Sequence, residues 1–461
     1  MNIILLISDT FRYDNLRGRA AMPVRTPELD GFSARAVSLE RLYTGSFPTI
    51  PQRTDMTSGR TCWPWHRWQA RAASTANHMP LLLAQAGYVS QLICDCPHLF
   101  PAGFQSGFSA AIALRGQEGD VNFLRMNRPI RSVMPPEKTR YGKHLLGSNL
   151  PDLSRWINPD WGREGQCFPP RTAELAVQWL EENCNYHPFF LWVDFFDPHE
   201  PWDPPEYMVR RYDPTYTGTP MIHPNYGKAG DYTPEELRNL RAHYCAEAEL
   251  VDRWVGRVLR KIDDLDLWKN SLVIFTTDHG MSLGEHNRTG KSNINKGDPR
   301  FWPTYPEIAH IPCLIAGPGL PAGRAVDAFV QPMDLLPTIL DLAGVTVQPP
   351  EPFHGRSFAE LARGKRARWE RDFVVTAAHL RKKEDGRIPP KAVTPMIYTR
   401  KWACAPIGAE GAPELFDLET DPLAERNLAA RRPKLVKELR AKLIGWLKEI
   451  GSPAEAISAL K

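Results

Sequence analysis

Five short apolar runs, set apart by stretches of helical periodicity, constrain this chain more than any other feature. They lie at residues 3–8, 89–94, 189–194, 271–277 and 311–316. Each is apolar at most successive positions instead of alternate ones, so the strand it forms is buried on both faces. That pattern belongs to a parallel sheet covered by helices on both sides. The stretches 79–86, 171–183, 234–263 and 333–343 supply such helices. The expected fold class is therefore α/β: a three-layer α/β/α sandwich with a mostly parallel central sheet. Ligands of such sheets sit at the carboxyl ends of the strands. Asp9, Asp194 and Asp278 all fall at or just after those ends.

After residue 345 the texture changes. A proline-rich connector (347–357) leads into a basic stretch (363–371), two candidate strands (372–377 and 396–398) and an amphipathic helix (433–450). A chain of 461 residues exceeds one ordinary domain. The expected division is a catalytic domain, 1–346, and a smaller C-terminal α+β subdomain, 347–461.

Charge and composition narrow the partners. A formal net charge of +4 helps attract a small anionic substrate but is far from the concentrated positive charge of a nucleic-acid binder. No run reaches the length of a membrane span, so neither nucleic acid nor membrane is an expected partner. Homo-oligomerisation stays open, with the C-terminal region and residues 142–165 as candidate contact surfaces. The first apolar run lacks a basic leader and a small-residue cleavage site, and it ends on an aspartate. It reads as a buried strand, and the cytoplasm is the expected location. The eight cysteines are scattered, with Cys94 and Cys96 the lone close pair, which suggests free buried thiols and no cysteine zinc site.

Three segments carry chemistry. A carboxylate at a buried strand end, as at Asp9, needs a cation or hydrogen bonds to offset its burial; alone, it could equally cap the next turn. Thr277-Asp278-His279-Gly280 sets a hard oxygen beside an imidazole, a donor pair suited to a divalent ion. Between them lies Ser46 to Arg60, where Thr49 precedes a stretch that can form a helix. A threonine at that start would point its hydroxyl and the first backbone N–H groups at an anion. Arg53, four residues on, would reach the same anion with a fork of donors. A threonine hydroxyl is a poor nucleophile unless a metal or base activates it.

These residues resemble the sulfatases, a branch of the alkaline-phosphatase superfamily. The family motif is Cys/Ser-x-Pro-x-Arg followed by a helix ending Thr-Gly-Arg. This chain has Thr49-Ile50-Pro51-Gln52-Arg53 and ends Ser58-Gly59-Arg60. Other blocks keep the family order: FFDPHEPWDPP at 195–205, the segments 244–259 and 316–345, TTDHGMSLGEH at 276–286, and 414–429. By position, the resemblance implies that Asp9, Asp278 and His279 hold one divalent metal, with Thr49 as nucleophile and further ligand. Arg53 and Lys291 would stabilise charge on the equatorial oxygens, and His199 would protonate the leaving oxygen. His286 would stand behind the metal ligands or lie on the surface. Glu307 and His310 receive no role. Six dispersed tryptophans (63, 65, 68, 156, 161 and 202) suit packing or a substrate wall.

The chain departs from the family at three places. Family members oxidise the motif Cys or Ser to formylglycine, but Thr49 carries a β-methyl and would give a ketone, so no formylglycine is expected. Asp95 stands where the family has a lysine, and His98 is displaced by one residue from its histidine. Thr10 replaces a second acidic residue, and His279 replaces a common asparagine. The last two changes favour Mn or Zn, with Ca allowed. The resulting expectation is a metal-dependent hydrolase that cleaves a phosphate (di)ester or phosphonate ester through Thr49. The alternatives are a sulfuric ester hydrolase and a catalytically silent member that binds an anion.

Overall fold

The computed structural model describes residues 1–139, 144–159, 162–291, 302–365, 367–378 and 394–461. Its first strands are β1 (Asn2–Ser8), β2 (Val37–Leu39), β3 (Ser46–Phe47), β4 (Val89–Cys94), β5 (Ala110–Ala113) and β6 (Phe189–Phe195). Then follow β7 (Ser271–Thr276), β8 (Ser282–Leu283), β9 (Thr289–Gly290), β10 (Cys313–Ala316) and β11 (Ala325–Val326). Eight of them form one sheet in the order β11-β2-β10-β7-β1-β6-β4-β5. β1 lies at its centre, parallel to both β6 and β7.

The helices are α1 (Pro27–Arg35), α2 (Thr49–Ser58), α3 (Met79–Gln85), α4 (Leu150–Ile157), α5 (Phe168–Asn183) and α6 (Glu206–Tyr212). They continue with α7 (Pro234–Asp264), α8 (Pro306–Ala309), α9 (Leu335–Ala343), α10 (Ala359–Ala362), α11 (Pro433–Glu449) and α12 (Ala454–Ser458). β1 shows how the layers assemble. Its alternate residues Ile4 and Leu6 meet residues of α1, α5 and α7 on one face. Ile3, Leu5 and Ile7 meet α2, α3, α9 and α10 on the other. A strand of period two between two helical layers must be apolar at successive positions, as β1 is from Ile3 to Ile7.

One expected strand runs the other way. β10 is antiparallel to β7 and to β2. A parallel return needs a crossover spanning the sheet. Here the described chain after β7 forms the β8–β9 pair, a 3-10 turn at Glu285–Asn287 and the four-residue α8 before β10, and it re-enters from the end it left.

The second sheet, in the order β15-β14-β13-β12-β3, contains β12 (Phe373–Ala378), β13 (Met396–Thr399), β14 (Trp402–Ala405) and β15 (Glu414–Asp417). α11 packs on it through Val436, Leu439, Leu443 and Leu447, a helical stripe against Val375, Ile397, Cys404 and Leu415. The fifth strand, β3, comes from the N-terminal part: Ser46 and Phe47 pair with Ala377 and Ala378. The small sheet thus grips the chain immediately before Thr49.

All eight cysteines are free, and Cys94 and Cys96 are buried. Among the described residues, no helix is long and apolar enough to cross a membrane. Residues 142–143 and 160–161 of the candidate contact loop lie outside the described residues.

Candidate active site

Thr49 is the first residue of α2, and all ten residues of that helix are buried. The helix ends at Gly59, whose φ of +69° is the left-handed conformation that glycine adopts without strain. Its polar side chains are tied down. Gln52 Nε2 donates to the Thr277 carbonyl at 3.3 Å. Asp55 accepts from the amides of Ser46 (2.9 Å) and Cys62 (2.7 Å), and burial pushes its carboxyl up to about 7.

Arg53 is fully buried and its donors are committed. Nε and Nη2 form a fork on the two oxygens of Asp194, both at 2.9 Å. Nη1 donates to Asp278 Oδ2 at 2.6 Å and lies 3.1 Å from Asp9 Oδ2 and 3.5 Å from the Thr49 carbonyl oxygen. The expected fork on a substrate anion is thus corrected: Asp194 takes it. The reason is charge, since three buried carboxylates at the ends of β1, β6 and β7 need a compensating cation. One guanidinium nitrogen therefore ties the start of α2 to Asp9 and Asp278.

Asp9, Asp278 and His279 present ligand atoms that all lie within 4.8 Å of one another. Asp278 Oδ1 accepts from the amides of Thr10 (3.1 Å) and His279 (2.8 Å). Both Asp9 oxygens and His279 Nε2 are buried without a hydrogen-bond partner. His279 Nδ1 donates to the Gly280 carbonyl at 2.9 Å, which leaves the Nε2 lone pair facing the carboxylates. Burial holds this imidazole neutral, its pKa down to about 3. Burial and the neighbouring Asp278 hold the Asp9 carboxyl well above the usual range. Asp278 is held well below it: burial opposes this, but His279, Arg53 and Lys291 outweigh burial.

These donors fit a divalent cation. Unpaired buried oxygens and an imidazole lone pair are costly unless something positive meets them. With the Asp9 and Asp194 protons displaced by the ion, the three aspartates would outnumber Arg53 and Lys291 by one charge among the described residues, and a divalent ion would leave the centre net positive. Thr10 joins through its backbone, with φ +57° and a buried hydroxyl that has no hydrogen-bond partner. Lys291 is buried and its ammonium also has no hydrogen-bond partner.

His199 stacks on Phe196 at 4.0 Å, and its Nδ1 donates to the Glu200 carbonyl at 2.9 Å. Burial, aided by Lys291, lowers its pKa well below the usual histidine value, while Glu118 raises it. Glu118 and Glu200 offer carboxylate atoms within 4.8 Å of the His199 ring. Neither drew notice in the sequence; Glu118 lies in a segment without a motif, and the only signal for Glu200 was its place beside His199.

The remaining candidates separate. Asp95 does not face the metal carboxylates. It supports the His199 loop, accepting from Thr172 Oγ1 (2.7 Å) and the Phe196 amide (2.5 Å). His98 lies near His199 and bonds Glu118 at 2.6 Å. His286 stacks on Tyr305 at 3.7 Å, 3.4 Å from Glu307, which raises its pKa against burial. Glu307 in turn backs the metal motif: a Cβ at Gly280 would sit 2.0 Å from its carbonyl oxygen. His310 is stacked on Tyr13 and Tyr43 and plays no part in the cluster. Trp63, Trp156 and Trp202 are buried packing, whereas Trp68 stands edge-on to His98. Trp161 lies outside the described residues.

A family model described as Sulfatase matches residues 1–345, and one described as N-sulphoglucosamine sulphohydrolase, C-terminal, matches residues 298–450. The arylsulfatase of Clostridium perfringens (strain 13 / Type A) is 24% identical, with 96% of this chain and 95% of that protein covered. Arylsulfatase K of Mus musculus is 25% identical, covering 96% of this chain and 78% of its own length. The solved phosphonate monoester hydrolase of Agrobacterium radiobacter shares the fold, with a TM-score of 0.74, 22% identity and coverage of 97% and 95%.

Proposed function

Because this chain belongs to the sulfatase family and is an ester hydrolase of that kind, we propose that it cleaves a phosphate diester or phosphonate ester through Thr49. The observation that carries this reading is Thr49 itself, a threonine at the head of α2, tied by Arg53 to Asp9 and Asp278. Asp9, Asp278 and His279, with the Thr49 hydroxyl, would hold the divalent ion. The imidazole in that set favours Mn or Zn over Ca. When bound, the ion would supply Lewis-acid charge that acidifies the neighbouring hydroxyl and offsets charge on the substrate oxygens.

Thr49 Oγ1, having lost its proton to solvent, attacks phosphorus. The new O–P bond forms as the bond to the leaving oxygen breaks, and His199 Nε2 gives that oxygen a proton. Lys291 offsets charge on the equatorial oxygens. Water then cleaves the threonyl ester, and Thr49 regains its proton. Residues 1–346 would contain this machinery, and 347–461 would brace it through the β3–β12 pairing.

The unspent cation count supports a monoanion. Arg53 is committed to three carboxylates and Asp95 contributes no positive charge, which leaves Lys291 among the described residues. That disfavours a dianionic phosphate monoester, yet a sulfate monoester also carries a single charge. A sulfuric ester is therefore the second reading, favoured by the arylsulfatase relatives.

A panel of aryl phosphate diesters, phosphonates, phosphate monoesters and sulfates, assayed with Mn, Zn and Ca, decides between them. The first reading expects highest kcat/KM on a diester or phosphonate; a sulfate preference would overturn it.

A further inference from the structure

A second group of titratable side chains stands where the loop after β6 meets the segment after β5. Glu118, His199 and Glu200 bring carboxylate and imidazole atoms within 4.8 Å of one another, and His98 Nε2 lies 2.6 Å from Glu118 Oε2. Side-chain exposure falls along the row, from 33% at His98 to 8% at Glu118 and 3% at His199. Phe196 lines one flank, stacked on His199 and 5.8 Å from the His98 ring. The Glu118 backbone is held at φ +43°, a left-handed conformation uncommon outside glycine and costly to keep without compensation.

A buried general acid has a supply problem. With Nδ1 committed to the Glu200 carbonyl, His199 gives its proton from Nε2 and is left neutral and shut off from bulk water. Among the described residues, the charged and titratable groups around it are Glu118, Glu200, His98 and Lys291. Lys291 opposes reprotonation. Glu200 Oε1 accepts from the Tyr226 hydroxyl, and its Oε2 lies 3.4 Å from His199 Nδ1, the nitrogen that keeps its proton, so Glu200 does not serve the Nε2 side. We infer that Glu118 is a positioning residue for His199 and, with His98, the path by which His199 regains its proton from solvent.

This inference rests on His199 being the leaving-group acid. After each delivery, the Glu118 carboxyl passes a proton to the His199 ring, through a bridging water where the gap exceeds a hydrogen bond. Protonated His98 refills Glu118, and solvent refills His98. One proton enters from solvent for each one given to the leaving oxygen, and no charge accumulates on the three side chains. The same donors at Glu118, His199 and Glu200 suit a cation, but an ion there would take the imidazole that must carry the proton and would face Lys291.

The test uses the full-length, metal-loaded protein and two esters of the same acid, one with 4-nitrophenol and one with an alkyl alcohol as leaving group. His199→Asn should lose on the order of 10²-fold in kcat on the alkyl ester and little on the nitrophenyl ester. Glu118→Gln and His98→Gln should each lose about 10-fold on the alkyl ester alone, at unchanged KM, with added imidazole restoring part of the loss. His98→Gln alters a partly exposed side chain and covers the case where Glu118→Gln fails to fold. If His199→Asn shows the leaving-group dependence and both relay variants match wild type, the relay alone is overturned. Equal losses on both esters for His199→Asn overturn the general-acid reading and the relay together. Two bound metal equivalents, reduced to one by Glu118→Gln, would make the cluster a cation site and overturn the relay.

Discussion

Two sets of buried carboxyl groups invite comparison. Asp9, Asp194 and Asp278 stand at the ends of β1, β6 and β7. Asp95, Asp197 and Glu247 lie beneath the loop that carries His199. Both sets are almost wholly buried. The first gathers around Arg53 and faces Lys291 and the His279 lone pair. The second is held by neutral donors: Thr172 and the Phe196 amide on Asp95, Gln117 on Asp197 (3.0 Å), and the Asp203 amide on Glu247 (3.0 Å). Burial pushes Asp95 up to about 7 and holds Asp197 and Glu247 well above the carboxylate range. Burial alone therefore produces a neutral, structural carboxyl. In the first set burial still holds Asp9 and Asp194 above the usual range, and Asp278, beside both the guanidinium and the imidazole, is the one held below it.

The sharpest way to break that contrast is to remove one carboxylate from each set. Asp278→Asn should bind almost no metal and lose turnover on the order of 10²–10³-fold, the scale for losing a charge aimed at the reacting centre. Asp95→Asn should keep the wild-type metal content. Equal metal content in the two variants, measured by elemental analysis, would erase the distinction.

Asp194 refines the first set, because it serves the site only by holding Arg53. Asp194→Asn should weaken metal binding by about 10–100-fold, as loss of a supporting partner does, and a Mn titration would measure it. Unchanged affinity would mean that Arg53 holds Asp278 without help.

The second set should appear in stability. Its folded-state pKa values lie above those of ordinary carboxylates, so the folded protein keeps those protons longer. That contribution is complete below about pH 4 and is lost as pH rises through the folded value, near 7 for Asp95. Tm should fall between about pH 4 and 7, and Asp95→Asn should flatten the fall. A Tm that rises over this range would contradict the assignment. The smallest effect belongs to Thr172→Val, which removes one donor from Asp95. It should cost about 1 kcal/mol by denaturant unfolding at acid pH and raise the Asp95 pKa further.

The first set was far easier to read from the sequence than the second. Asp9 and Asp278 follow runs that are apolar at most successive positions, and such runs betray a covered sheet. β1, β4, β6 and β7 emerged for that reason. β2, β3, β5 and β11 did not: they are two to four residues long, too short for periodicity to register. The direction of β10 was illegible because it depends on the path of the chain after β7, not on the apolar pattern of β10. The sequence points Arg53 at the substrate because its neighbours there are nucleophile and helix start, while Asp194 reaches it only through the fold. Glu118 had no local signal at all; 81 residues separate it from His199, and the sheet order β6-β4-β5 brings the two together.

The account stands or falls on Thr49. Rapid acid quench of the metal-loaded protein with a 4-nitrophenyl phosphate diester, followed by mass mapping of the peptide that contains residue 49, tests it directly. The account predicts a phosphoester adduct on Thr49, with Thr49→Ala binding its metal but neither forming the adduct nor turning over. Turnover by Thr49→Ala at the wild-type rate, with no adduct on the wild-type protein, would contradict it.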